Sequence, residues 1–220
     1  MKGFRNSIVG LLLLTGTSIC VQAEGLKQQG SSVDEIVPAD WLHVEAQGDL
    51  NKDGITDLVM VATPDSAENM WTRDDGYVFN LNQPILAIYF GTSQGHYQLW
   101  RQYDDVIPTD KDEFCHHETS LEITPRGALR ISTQLWCSMG SYYATSNSYT
   151  YRYQHGDFYL IGTENEEMRR NTGETTVVSE NYLTWKRQVV NSNAFTDEPV
   201  TEKWSRLTKK PLEKLGAREL

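Results

Sequence analysis

Asp49, Asn51, Asp53 and Asp57 bring four oxygen-bearing side chains into nine residues, Asp49-Leu50-Asn51-Lys52-Asp53-Gly54-Ile55-Thr56-Asp57. Alternate residues of an extended loop point the same way, so Asp49, Asn51 and Asp53 can converge on one point. Gly54 permits the sharp turn that follows, the carbonyl of Ile55 then faces inward, and Asp57 closes the cage. Hard oxygen donors in this order suit Ca²⁺, which takes about six to eight oxygens at roughly 2.3–2.6 Å. Three carboxylates this close repel one another unless a cation neutralises them. The plain alternative is a solvated Asp/Asn/Gly turn.

The elements that position these donors are strands. A calcium loop between helices needs a bidentate acid at its twelfth position, and the twelfth residue counted from Asp49 is Met60. Leu58-Val59-Met60-Val61-Ala62 is a short apolar run of buried-strand character, and Trp41-Leu42-His43-Val44-Glu45-Ala46 also reads as extended. The loop is therefore expected to join two strands. Residues 48–61, Gly48-Asp49-Leu50-Asn51-Lys52-Asp53-Gly54-Ile55-Thr56-Asp57-Leu58-Val59-Met60-Val61, resemble the calcium hairpin of FG-GAP (integrin α-type, VCBS-like) repeats. Ile85-Leu86-Ala87-Ile88-Tyr89-Phe90-Gly91-Thr92 resembles a later strand of such a repeat. The resemblance spans residues 42–100 in a single copy. It implies Asp49, Asn51, Asp53, the Ile55 carbonyl and Asp57 as calcium ligands. A complete propeller of such repeats does not fit in this length.

The first residues have the pattern of an export signal. Lys2 and Arg5 precede an apolar stretch over residues 8–19, and Val21-Gln22-Ala23 suits cleavage after Ala23. The stretch is too short for a convincing membrane span. Cys20 offers a lipoprotein alternative, with Ile19 a poor fit to a lipobox. The expected setting is periplasmic or secreted. In an exported chain Cys115 and Cys137 read as one disulfide. The alternative is a reactive or metal-binding Cys115 beside His116 and His117, but neighbours on a strand face opposite ways. The formal charge of −10 argues against a nucleic-acid partner, which needs clustered Lys and Arg, and no later segment is apolar enough to span a membrane.

The rest of the chain reads as mainly β, with short antiparallel strands arranged as propeller-like blades or an open sandwich. Residues 24–37 are expected to be a flexible lead, 38–208 one β domain, and 209–220 a tail, weakly helical over residues 209–215. Hairpins are expected for residues 85–91 with 97–103, 121–124 with 128–135, and 148–153 with 158–162. Gly173-Glu174-Thr175-Thr176-Val177-Val178-Ser179 with Tyr182-Leu183-Thr184-Trp185-Lys186 is a fourth pair. Tyr149, Tyr151 and Tyr153 alternate onto one face. Residues 63–84 form a long polar excursion that Met70, Trp71, Tyr77 and Phe79 can pack down. Residues 151–162 and 181–184 resemble exported bacterial proteins in which one D-x-N-x-D-G loop precedes an aromatic-rich β region.

Nothing in the sequence spells a nucleophile elbow, a zinc helix or a phosphate-cradling glycine loop. Trp136, Tyr142 and Tyr143 form a candidate binding patch beside the expected disulfide, since aromatic faces stack sugars and anchor proteins. The expectation is a calcium-stabilised, non-enzymatic binding module for a protein or a glycan. The alternatives are a periplasmic inhibitor or immunity-type protein, and a calcium-dependent hydrolase.

Overall fold

The computed structural model describes residues 25–110, 114–197 and 199–220. The export signal expected over residues 1–23, with Cys20 and the expected cleavage after Ala23, lies outside the described residues. In chain order the elements are β1 (Gln29–Gly30), α1 (Val33–Ile36), β2 (Leu42–Gly48), β3 (Asp57–Thr63), a 3-10 turn (Ala67–Asn69), β4 (Met70–Thr72), β5 (Val78–Asn80), β6 (Ile85–Gly91) and β7 (Tyr97–Tyr103). Then follow β8 (Cys115–Ile123), β9 (Ala128–Cys137), β10 (Tyr143–Gln154), β11 (Asp157–Arg169), β12 (Glu174–Asn181), β13 (Lys186–Asn193) and β14 (Thr201–Arg206). All strand pairs are antiparallel. They form a five-stranded sheet in the order β1-β7-β6-β3-β2, a seven-stranded meander from β8 to β14, and a separate β4-β5 hairpin.

The two large sheets pack face to face over one core, so the open sandwich is the arrangement formed. Val59 and Val61 of β3 and Leu86 and Ile88 of β6 meet Leu129, Ile131, Tyr151, Phe158 and Leu160 of the other sheet. Tyr149 and Tyr153 pack against this core beside Tyr151, as their alternation requires. The excursion at 63–84 is tied down as expected: Phe79 is buried, with Trp71 at 5.4 Å and Tyr77 at 4.6 Å between ring centroids.

The described part of the lead, residues 25–37, does not trail free of the domain but covers a second apolar face. β3 and β6 are buried on both sides, which is why they read as continuous apolar runs. Leu58, Met60, Ala62, Ala87 and Tyr89 face away from the main core and are covered by Val33, Ile36 and Val37. Those three fall at i, i+3 and i+4, one face of a helical turn. The Tyr89 hydroxyl donates to the Lys27 carbonyl at 2.9 Å, and Lys27 N–H to the Ile36 carbonyl at 3.0 Å.

Two further expectations are corrected. No helix forms over residues 209–215. Pairing of β11 with β12 begins only at Gly162, so the first part of β11 lacks a neighbour there. The C-terminal strap supplies one, with Leu160 N–H donating to Glu213 O at 2.8 Å and Leu215 N–H to Phe158 O at 2.9 Å. Residues 182–185 are a turn, not a strand. Asn181 Oδ1 accepts the N–H groups of Leu183 and Thr184 at 3.0 and 2.9 Å, Trp185 sits at φ 57°, and the strand starts at Lys186. Beyond the core, β12, β13 and β14 continue the meander as a wing that is half-buried or exposed throughout. Its valines pair across strands on both faces, Val177 with Val190 and Val178 with Val189.

Candidate metal centre

The acidic loop connects β2 to β3, as its flanking strands imply. Three of its side chains are held by the loop's own backbone. Asp49 accepts the N–H groups of Lys52 and Gly54 at 2.7 and 3.0 Å, Asn51 Oδ1 accepts Asp53 N–H at 3.0 Å, and Asp53 Oδ1 accepts Ile55 N–H at 2.8 Å. Lys52 and Gly54 both adopt positive φ, 65° and 82°, which tightens the turn enough for these bonds. Asp53 is exposed, and Asp49 and Asn51 are half-buried. Asn51 meets Asp53 with its amide nitrogen, Nδ2 to Oδ2 3.0 Å, so a cation would displace that donor and draw the amide oxygen inward.

Asp57 is placed differently from the other three. It is fully buried, and its carboxylate brackets the fold: Oδ2 accepts Leu50 N–H at 2.8 Å and Asn51 N–H at 3.4 Å, and Oδ1 accepts Gly91 N–H at 2.9 Å. Burial lifts its carboxyl above the usual carboxylate range, against the pull of the Gly91, Leu50 and Asn51 N–H groups. A carboxylate has about four lone-pair sites. With three N–H groups on them, about one is left for an ion. With Asp57 turned into the fold, two acids remain at the loop surface, and among the described residues no three His, Cys, Asp or Glu side chains stand ready around one metal position. The donor chemistry fits calcium through Asp49, Asp53, the Asn51 amide oxygen and the Ile55 carbonyl, with the last lone pair of Asp57 behind them.

The loop sits where both sheets meet. Leu50 enters the main core with 1% exposure. A Cβ on Gly91 would strike the Thr56 carbonyl oxygen, and one on Gly127, in the β8–β9 turn, would come 2.5 Å from the Asp49 carbonyl oxygen. A Cβ on Gly48 would lie 2.7 Å from Ile123 Cγ2. Three glycines thus let β6, the β8–β9 turn and β8 close on the loop. The sequence places Gly91 at a strand end and Gly127 in a turn, but not the close approaches they permit, because the partners are distant along the chain.

Cys115 and Cys137 are direct cross-strand partners and form a disulfide, with Cα atoms 4.0 Å apart. Trp136, Tyr142 and Tyr143 are all exposed, but they do not make one surface. Register pairs Thr145 with Leu135, so Tyr143 falls on the face of Cys137 and Trp136 on the opposite face. The Arg170 guanidinium lies 4.4 Å from the Trp136 ring centre and donates to the Ser141 carbonyl, fixing the intervening loop.

A second cluster joins Asp110 to His116 and His117 at the β8 edge. Asp110 takes His117 N–H at 2.6 Å and His117 Nδ1 at 3.0 Å on one oxygen, and His116 Nδ1 at 3.3 Å on the other. The two imidazoles point to opposite faces of β8, and one carboxylate at the strand edge reaches both. Burial pushes the Asp110 carboxyl up, but the bonds from His117 and His116 outweigh it and hold it below the ordinary range. His117 and Asp110 line a cleft of ≈ 230 Å³ with Leu42, Val44, Val61 and Asn82, and no serine, cysteine or lysine among the described residues lines it.

On the outer face of the seven-stranded sheet, away from the core, a groove of ≈ 270 Å³ crosses the wing, lined by Arg130, Ser148, Glu164, Asn181, Gln188 and Trp204. Among the described residues no helix is long and apolar enough to cross a membrane. Comparison with known protein families, with curated proteins and with solved structures finds no match for this chain.

Proposed function

We propose that this is an exported, calcium-binding β domain that acts as a non-enzymatic binding module for a glycan or protein at the cell envelope. The observation that supports it is the position of the acidic loop. Asp49, Asn51 and Asp53 are each held by backbone N–H groups of their own loop, at a corner where β3, β6 and the β8–β9 turn converge. A cation there removes the repulsion between Asp49, Asp53 and Asp57 and staples the β2–β3 connection to both sheets. The ligands are Asp49, Asn51, Asp53, the Ile55 carbonyl and Asp57, completed by water.

The binding side of the proposal draws on the wing groove. It sets amide, hydroxyl and charged side chains on a rigid sheet beside an exposed indole, the chemistry that holds a sugar by hydrogen bonds and ring stacking. The disulfide is compatible with an extracellular setting.

Calorimetry and thermal melts with and without a chelator test the calcium site. For a dissociation constant of ~10⁻⁴–10⁻³ M, saturation at about 10 mM calcium stabilises the fold by about 1.4–2.7 kcal/mol and raises Tm by about 3–10 °C. Asp53→Ala should abolish that rise. No heat of binding and no shift in Tm would remove the calcium reading. Oligosaccharide titrations of the parent and of Trp204→Ala test the groove separately.

A further inference from the structure

The wing ends in an open strand edge whose side chains are complementary to a second copy of themselves. Four edges bound the two large sheets, and three are protected. β1 is two residues long, β2 packs beside β8, and Asp110 takes the outward N–H of His117 on β8. Among the described residues β14 has a neighbour on one side only, β13, and all six of its residues are exposed. A long edge with free N–H and C=O groups is a template for another strand.

The register identifies which groups are free. Leu207 N–H donates to Trp185 O at 2.8 Å, continuing the β13–β14 ladder in which Lys186 faces Arg206. Hydrogen-bonded pairs alternate along an antiparallel ladder, so Thr201, Lys203 and Ser205 point their backbone groups at β13. Glu202, Trp204 and Arg206 therefore turn their N–H and C=O groups outward. Their side chains also share one face, because they alternate with Lys203 and Ser205.

We infer that the protein forms a two-fold dimer by antiparallel pairing of β14 with β14 of a second copy, centred on Trp204. In that register Trp204 lies opposite its copy and Glu202 lies opposite Arg206 twice, all outward-facing backbone groups are paired, and the six ladder bonds join two seven-stranded sheets into one. Opposite charges directly across an antiparallel pair stabilise it, and like charges destabilise it. Neighbouring registers set Glu202, Lys203 or Arg206 against its own copy, or leave Glu202 opposite a residue beyond the strand. An unrelated extended peptide gains the same backbone bonds but has no reason to carry the matching charges. The two-fold also brings the two wing grooves, each bordered by Trp204, side by side on one face, so a repeating ligand would meet both.

The interface is one strand edge, so the dimer is weak, exchanging with monomer between about 10 μM and 1 mM. Analytical ultracentrifugation of the purified protein reads it directly. Glu202→Arg and Arg206→Glu, each made alone, place like charges opposite and should weaken self-association about tenfold or more. Mixing those two chains in equal amounts restores two opposite-charge pairs and should restore the dimer, as should the double change E202R/R206E in one chain. Both positions are exposed, and recovery on mixing shows that each chain is folded. A parent that stays monomeric through that range overturns the inference. So does a dimer that ignores the single changes, or a mixture that fails to associate.

Discussion

The Asp57 carboxylate accepts the Gly91 backbone N–H across 2.9 Å and so joins the first residue of β3 to the last residue of β6. The approach is possible because residue 91 has no side chain, since a Cβ there meets the Thr56 carbonyl oxygen and lies 2.7 Å from Ile55 Cγ2. Gly91→Ala should therefore push the loop off the sheet, costing about 2–3 kcal/mol and about 4–10 °C in Tm. The loss arises from backbone collision, so it should persist in chelator. A variant that melts with the parent in chelator would mean that the loop is not seated on β6 as described.

Ile36 is completely buried against the outward face of the five-stranded sheet. Ile36→Ala should cost about 2–5 kcal/mol, the range for a large aliphatic side chain removed from a packed site. Removing residues 25–37 entirely exposes Leu58, Met60 and Tyr89 together and should cause aggregation at temperatures where the parent is soluble. Urea melts of the point variant and light scattering of the truncated chain measure the two effects. A truncated chain as stable as the parent would return the lead to the status of a tail.

The contrast between these two sites shows what the sequence makes legible. The β2–β3 loop and the runs at 57–63 and 85–91 are local: ligand spacing, a turn glycine and continuous apolar residues sit next to each other and read directly. The Tyr149, Tyr151, Tyr153 alternation was equally plain, since period two needs only one strand to be seen. The lead was missed because Val33, Ile36 and Val37 are three apolar residues in a polar stretch, and their value depends on a sheet face contributed by β3 and β6. The C-terminal strap was missed for the same reason, because its partner is the uncovered first part of β11. Asp57 matched a ligand spacing, yet its N–H partner Gly91 lies 34 residues on. Trp136 and Tyr143 looked like one patch in sequence, but strand register separates them.

Asp157 ties three parts of the molecule together and should make the fold acid-sensitive. It is buried at the start of β11, with Lys214 Nζ of the strap at 2.9 Å, Arg101 Nη1 of β7 at 3.3 Å and the Phe158 N–H at 2.9 Å. Burial pushes its carboxyl up, but Lys214, the Phe158 N–H and Arg101 together pull it below the ordinary value of 3.8. A depressed carboxyl binds protons more readily when unfolded, so its contribution is complete above about pH 4 and is lost as pH falls through the lower folded value. Tm measured from pH 7 to pH 2 should fall in that lower window. Asp157→Asn should cost about 1–2 kcal/mol at pH 7, moderated because both cationic partners reach solvent, and should flatten the fall below pH 4. An unchanged acid slope in the variant would assign the sensitivity to other carboxylates.

The Cys115–Cys137 bond closes the open end of the β8–β9 pair, 22 residues apart in sequence, while the turn at residues 124–127 closes the other end. Constraining a loop of that length in the unfolded chain is worth about 3 kcal/mol, so the Cys115→Ser/Cys137→Ser double variant should melt about 6–12 °C lower. The damage should also have a direction. Without the bond, the contacts that hold residues 115–117 include β9, the Asp110 oxygen that keeps His117 N–H at 2.6 Å, and the Phe79 ring stacked on His116 at 5.5 Å. Amide exchange should therefore accelerate first at 115–117 and leave Leu121 and Ile123, packed against the core, at parental rates. Adding Asp110→Ala to the double variant removes one more of these contacts and should carry the fast exchange further along β8. Uniform exchange along β8 in the cysteine variant would show that the strand opens as a unit, with the disulfide acting only on the unfolded chain.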